Sequence, residues 1–165
     1  MAVVETSRKI LELLERDACL TPEKIAVMLG EEVTAIHAEI HRLERDRVII
    51  GRKALINWEK AGDEQVWALI EVRVSPQREV GFNAVANRIS RFPETWSVYL
   101  LSGTYELAVQ VVGRSMREVA SFVAEKLAPL DGVEGTTTHF LMKRYKDRGV
   151  VFEDQEEVER LPITP

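Results

Sequence analysis

Cysteine is almost missing from this chain: Cys19 is the single one in 165 residues. One thiol cannot close an intrachain disulfide, and it cannot build a thiolate metal cluster. Long apolar runs are missing as well. The N-terminal MAVVETSRK has no signal-peptide core, and no later stretch approaches the ~20 residues of a membrane span. Cytoplasm is therefore the expected compartment, and no membrane partner is expected. Positive charge is scarce: 22 Lys+Arg stand against 27 Asp+Glu, a net charge of −5. That balance excludes a uniformly basic coat, so any contact with nucleic acid has to be local. With aromatics at only 7%, Trp58, Trp67 and Trp96 read as packing or interface residues rather than a nucleotide stack. What remains is an ordinary globular composition, 45% apolar and 30% charged, long enough for one domain or two small ones packed together.

The first sixty or so residues carry helical periodicity. In TSRKILELLERD, Ile10, Leu11, Leu13 and Leu14 form a stripe, while Arg8, Lys9, Glu12 and Glu15 stay outside. TPEKIAVMLG opens with Thr21 as N-cap and Pro22 at the first helical position, and stops at Gly30. A third helix follows, and RVIIGRKALIN reads as two short strands around Gly51, a small hairpin carrying Arg52 and Lys53. The second half changes period. VWALIEVRV alternates as a strand, with Val66, Ala68, Ile70, Val72 and Val74 on one face. Helical spacing then links Phe82, Val85, Ala86, Ile89 and Phe92; TWSVYLLSGTYELAVQVV reads as two strands joined at Ser102-Gly103-Thr104. SMREVASFVAEKLAPL places Ser115 and Glu118 in capping-box spacing, with Met116, Val119, Phe122, Val123 and Leu127 inward. GVEGTTTHFLMKRY is a last strand. The order βαββαβ is the ferredoxin-like pattern, so the fold class is α+β. The expected division is residues 1–62 as a helical, DNA-binding domain with linker, 63–146 as the ferredoxin-like domain, and 147–165 as a weakly ordered acidic tail.

The stretch GEEVTAIHAEIHRLERDRVII poses the functional question, because it opens on two glutamates and DNA is a polyanion. On a helix over residues 33–47, Val33, Ile36, Ile40 and Leu43 face the core. Thr34, Ala38, His41, Arg42 and Arg45 face outward, while Glu39, Glu44 and Asp46 fall on the flanks. Glu31 and Glu32 sit at the positive end of the helix dipole, which suits the fold but weakens a phosphate site there. Ala26, Gly30 and Ile36 match the helix-turn-helix pattern: a small residue at the crossing, glycine in the turn, an apolar anchor in the second helix.

IAVMLGEEVTAIHAEIHRLERDRVI, then SGTYEL, then DGVEGTTT, in this succession, resemble the leucine-responsive and asparagine-synthesis regulator (Lrp/AsnC) family of transcription factors over about residues 6–145. The resemblance implies a winged helix-turn-helix joined to a ligand-sensing and dimerisation domain. It also implies a homodimer paired through its sheet, assembling further to a tetramer or octamer, and amino acids as effectors. The chain departs from the family at Glu32, where Ser or Thr is common, at Ala38 and Glu39, often basic, and at Glu106, usually Asp.

Arg42 and Arg45 are the expected groove or phosphate contacts on double-stranded DNA, Thr34 and His41 the edge readers beside Ala38, and Arg52 and Lys53 the phosphate contacts of the wing. His37 and His41 are four apart, a spacing that can clamp zinc, but no cysteine or third histidine lies near in the sequence and no metal is expected. In SGTYE, Gly103 is able to take a positive φ, and backbone N–H groups of Ser102, Gly103, Thr104 and Tyr105 suit a carboxylate. The resemblance implies that Glu106 balances an amino group while Thr136 and Thr138 add hydroxyls. Two rivals stand beside this reading. One is an assembly protein whose helix has lost DNA affinity. The other is an enzyme like the haem-pathway decarboxylases of the same architecture, which should need several Arg or His groups that residues 95–112 lack. With no nucleophile–base pair in sight, no catalytic residue and no cofactor is expected.

Overall fold

The computed structural model describes residues 5–75 and 82–152. The chain divides into two compact units between Ile56 and Asn57. In the first, α1 (Glu5–Arg16), α2 (Pro22–Leu29) and α3 (Val33–Arg45) pack around Ile10, Leu14, Ile25, Ala26, Ile36, Ile40 and Leu43. Thr21 caps α2 by accepting from the Lys24 N–H, and Pro22 costs nothing at a position whose N–H has no helical partner. Gly30 ends α2 in the left-handed region, φ 70°, and donates to the Ala26 carbonyl. That conformation strains any residue bearing a Cβ and is what lets α3 turn back over α2.

Two expectations for this unit change. Val33 is 38% exposed rather than in the core. It lies in the first turn of α3, ahead of Ile36, the first α3 residue in the core. The two short strands around Gly51 do not form: residues 50–57 hold no ladder. Ile50 is 81% exposed, and Leu55 and Ile56 are exposed too, so this alternation has no apolar face to bury. An isolated two-stranded hairpin is marginal without one. Only Ile49 turns in, packing partly on the helical core.

The second unit contains β1 (Val66–Val74), α4 (Asn83–Ile89), β2 (Thr95–Leu100), β3 (Leu107–Gly113), α5 (Met116–Phe122, continued by a π-helical turn Val123–Leu127) and β4 (Val133–Phe140). The strands lie in the order β2-β3-β1-β4, all neighbours antiparallel. Ala68, Ile70, Val72 and Val74 project from β1 onto the buried side, where α4 supplies Val85 and Ile89 and α5 supplies Val119 and Phe122. This is the expected βαββαβ architecture. Ser115 caps α5 by accepting from the Glu118 N–H, but Glu118 reaches back to the Arg114 N–H, 2.7 Å, one residue earlier than in a capping box. Met116, expected inward, is 54% exposed, because it occupies the first helical position, a turn ahead of Val119. Ordered chain also continues into the segment expected as tail. Lys146–Asp147 (β5) and Val150–Val151 (β6) pair as a short ribbon, turned by Arg148 and Gly149 at φ 45° and 85°. Residues 153–165 of that tail lie outside the described residues, as do 76–81.

Candidate functional site

α3 presents an exposed arc of Thr34, Ala35, His37, Ala38, His41 and Arg45. At 100° per residue, Thr34, Ala38, His41 and Arg45 fall within roughly 60° of one another, so they share one ridge. His37 flanks it, its ring edge-to-face with His41 at 4.6 Å. Their four-residue spacing puts His37 and His41 astride this face, so the ring contact follows from helix geometry.

Arg42 is placed differently from the expectation. It stands about 80° round the helix from Thr34, close enough to Glu39 to be drawn off the ridge. Its Nε donates to Glu39 Oε2 at 2.8 Å, its Nη2 to Glu39 Oε1 at 2.6 Å, and its Nη1 to Asp46 Oδ2 at 2.9 Å. Its side chain is only 30% exposed and that of Glu39 23%. Ser7, the one buried polar residue recorded among the described residues, donates its hydroxyl to Glu39 from α1. The Arg42 bonds first, then the Ser7 bond, hold the Glu39 carboxyl down at about 2. The same pairing with Glu39 raises Arg42 further above its already high range. Arg52 is also engaged: its Nη2 donates to Glu44 Oε1 at 3.0 Å, while Glu44 Oε2 lies 3.5 Å from His41 Nδ1. Lys53 is exposed. At the helix start, Glu32 occupies the N-cap without a side-chain cap bond, beside exposed Glu31.

In the second unit, Ser102, Gly103 and Thr104 are exposed, Tyr105 and Glu106 half-buried. The loop closes through the Leu101 N–H to the Glu106 carbonyl, 2.8 Å. Gly103 is not among the residues with positive φ, so the loop does not use the freedom expected of it. Glu106 Oε2 accepts from the Val74 N–H at 2.8 Å, extending the β1–β3 ladder past its last backbone pair, Val72 with Leu107. Thr136 and Thr138 are cross-strand partners of Val72 and Ile70, so they lie on the helix-covered side, half-buried. Thr136 is two strand spacings from Leu107, roughly 10 Å. Within the chain the expected effector residues are thus a loop and a strand on either side of β1, not one cluster.

A family model, the Lrp/AsnC ligand binding domain, matches residues 67–160. The HTH-type transcriptional regulator YugG of Bacillus subtilis, itself uncharacterized, is 46% identical over 100% of both chains. The crystal structure of MtbAldR superposes with a TM-score of 0.76 at 26% identity, covering 87% of this chain and 97% of that one. The transcriptional regulator NMB0573 of Neisseria meningitidis, solved as a complex with L-Met, has the same fold: TM-score 0.71 at 21% identity, over 88% of this chain and 94% of that one.

Proposed function

This chain belongs to the Lrp/AsnC family of HTH-type transcriptional regulators, and from that premise we propose that it binds double-stranded DNA sequence-specifically through the α3 ridge, in the cytoplasm and as a homodimer or larger assembly. The observation that carries the reading is the ridge itself: Thr34, Ala38, His41 and Arg45 are exposed together, while Glu39 is bound sideways to Arg42 and Ser7. Arg45 supplies the bidentate donor suited to guanine or a phosphate, and His41 donates or accepts at a base edge. Arg42 acts as a strut. Two ridges in a symmetric dimer would meet half-sites about 34–36 Å apart. An amino acid is the proposed effector, held by Ser102–Glu106 of one subunit with threonine hydroxyls from β4. It acts by binding one assembly state more tightly than another. The L-Met bound to NMB0573 belongs to that protein, and it is the reason amino acids head the test.

Footprinting of the DNA upstream of the chain's own gene, with and without each of the twenty amino acids, tests this. Salt-sensitive protection in two half-sites one helical turn apart, altered by at least one amino acid, is the expected result. A second reading has its own observation: Arg42 and Arg52 are both committed to carboxylates, and Glu31 and Glu32 stand at the helix start. If no salt-sensitive protection is found, the chain is instead an assembly protein with weakened DNA affinity.

A further inference from the structure

His41 stands on the outward ridge of α3 with its ring held from two directions. Glu44, one turn on, brings Oε2 to 3.5 Å from Nδ1. Its other oxygen, Oε1, accepts from Arg52 Nη2 at 3.0 Å, so the carboxylate is itself oriented from the segment that follows the helix. His37, one turn back, meets the His41 ring edge-to-face, with 63° between the planes. The His41 side chain is still 60% exposed, so the ring is oriented without being covered.

Orientation decides what a neutral imidazole offers, because its one N–H and its one lone pair sit on different nitrogens. The Glu44 contact is too long for a full hydrogen bond. Its negative charge nevertheless favours the hydrogen on the nitrogen beside it, since a lone pair there would be repelled. Nδ1 then carries the hydrogen, and Nε2, on the outer side of the ring, keeps the lone pair. At their exocyclic positions in the major groove, adenine and cytosine present amino donors while guanine and thymine present acceptors. A neutral His41 held this way suits adenine or cytosine on the contacted strand. Once the ring gains a second proton both nitrogens donate, and the match passes to guanine N7 and O6.

We propose that His41 sets base specificity on the α3 ridge as a proton-dependent reader, with Glu44 as its positioning residue: it selects an amino-bearing base when neutral and guanine when protonated. This rests on the DNA reading above and deepens it. Histidine changes charge between about pH 5 and 8, so the exchange falls within a range in which duplex DNA stays paired. The charged groups around the two rings bear on that proton. Glu44 stands at His41 with Arg52 behind it, and Arg45 is exposed one turn along the same ridge. From α2, Glu23 interacts with His37; its carboxyl lies below the usual range through bonds with Thr21 and its own backbone first, and His37 last. Protons on both rings would set two cations side by side, and Glu23 and Glu44 offset one each.

The test selects binding sequences from a pool of random DNA duplexes with the full-length protein, at about pH 8 and about pH 5.5, on either side of the histidine range. Wild type is expected to prefer adenine or cytosine about fivefold at one position of each half-site at the higher pH, and guanine there at the lower. New charge on His37 raises affinity for every sequence alike, so the preference at that position is the readout. His41→Gln, whose amide both donates and accepts but does not titrate, should bind within about threefold of wild type and select the same base at both pH values. Glu44→Gln removes the charge that directs the hydrogen, so the preference at the higher pH should fade while the guanine preference at the lower pH remains. A wild-type preference that ignores pH, or a pH-driven exchange that persists in His41→Gln, overturns the proposal while leaving the DNA reading in place. No salt-sensitive duplex binding at either pH is a different result: it removes the DNA reading, and this assignment with it.

Discussion

Arg42 is bonded to Glu39 through two of its nitrogens, at 2.8 and 2.6 Å, and so faces along the protein rather than away from it. Arg45, three residues further along the same helix, is exposed. The two arginines should therefore separate in a paired experiment. Arg45→Ala is expected to weaken operator binding by about fivefold or more, as loss of one groove contact does, with an unchanged melting temperature. Arg42→Ala should lower the melting temperature by several degrees, because it strands the Glu39 carboxylate, and should disturb DNA affinity less. Mobility shifts beside thermal melts decide it; an unchanged midpoint for Arg45→Ala would refute the assigned face.

Glu39 also predicts an acid limb to stability. Its carboxyl titrates at about 2 in the folded chain, because Arg42 and then Ser7 bond its charged form, against about 4.3 for an unfolded glutamate. As pH falls the unfolded state takes up the proton first. The contribution is thus fully present above the unfolded value and is lost progressively as pH drops toward the folded one. Glu39→Gln should lower the melting temperature at neutral pH and flatten its fall between about pH 5 and pH 2, so the two proteins converge at the acid end. Parallel profiles across that range would show that Glu39 is not the titrating group.

These two predictions also mark what periodicity can and cannot reveal. The turn-by-turn spacing of Ile36, Ile40 and Leu43, and the alternation of Ala68, Ile70, Val72 and Val74, made both cores legible, since burial follows the period of the backbone. The angular position of Arg42 was equally readable, but its commitment was not. Ser7, which completes the network, lies 32 residues from Glu39 on another helix, and Glu106 finds the Val74 N–H at the same separation. The β5–β6 ribbon escaped for another reason. Two-residue strands have no period, and Phe152 is held by contacts with Arg144 and Tyr145 that composition does not announce.

The start of α3 offers a gain rather than a loss. Glu32 has N-cap backbone angles, φ −69° and ψ 134°, yet its side chain makes no cap bond. Glu32→Ser supplies a short hydroxyl acceptor at that position and should add about 0.5–1 kcal/mol of stability. It also removes one negative charge from the end of the helix that attracts phosphate, so operator affinity should rise, and more at low salt than at high. A salt titration of binding, wild type against variant, checks the second part. Equal affinities at all salt concentrations would mean that the α3 N-terminus does not approach the DNA backbone.

Glu106 carries two assignments, and one pair of substitutions divides them. As an acceptor for the Val74 N–H it finishes the β1–β3 ladder; as a carboxylate it is proposed to face the ammonium group of an effector. Glu106→Gln keeps an amide oxygen to accept from Val74 but removes the charge. Glu106→Ala removes both and leaves a part-buried N–H without its partner, at a cost of about 1–3 kcal/mol. If the charge matters, any thermal shift caused by an amino acid should disappear in the Gln variant while its ligand-free melting temperature stays near that of the wild type. The Ala variant should instead melt lower with or without ligand. A Gln variant that still responds to the effector leaves Glu106 with the ladder alone, because the amide has no charge with which to balance an ammonium.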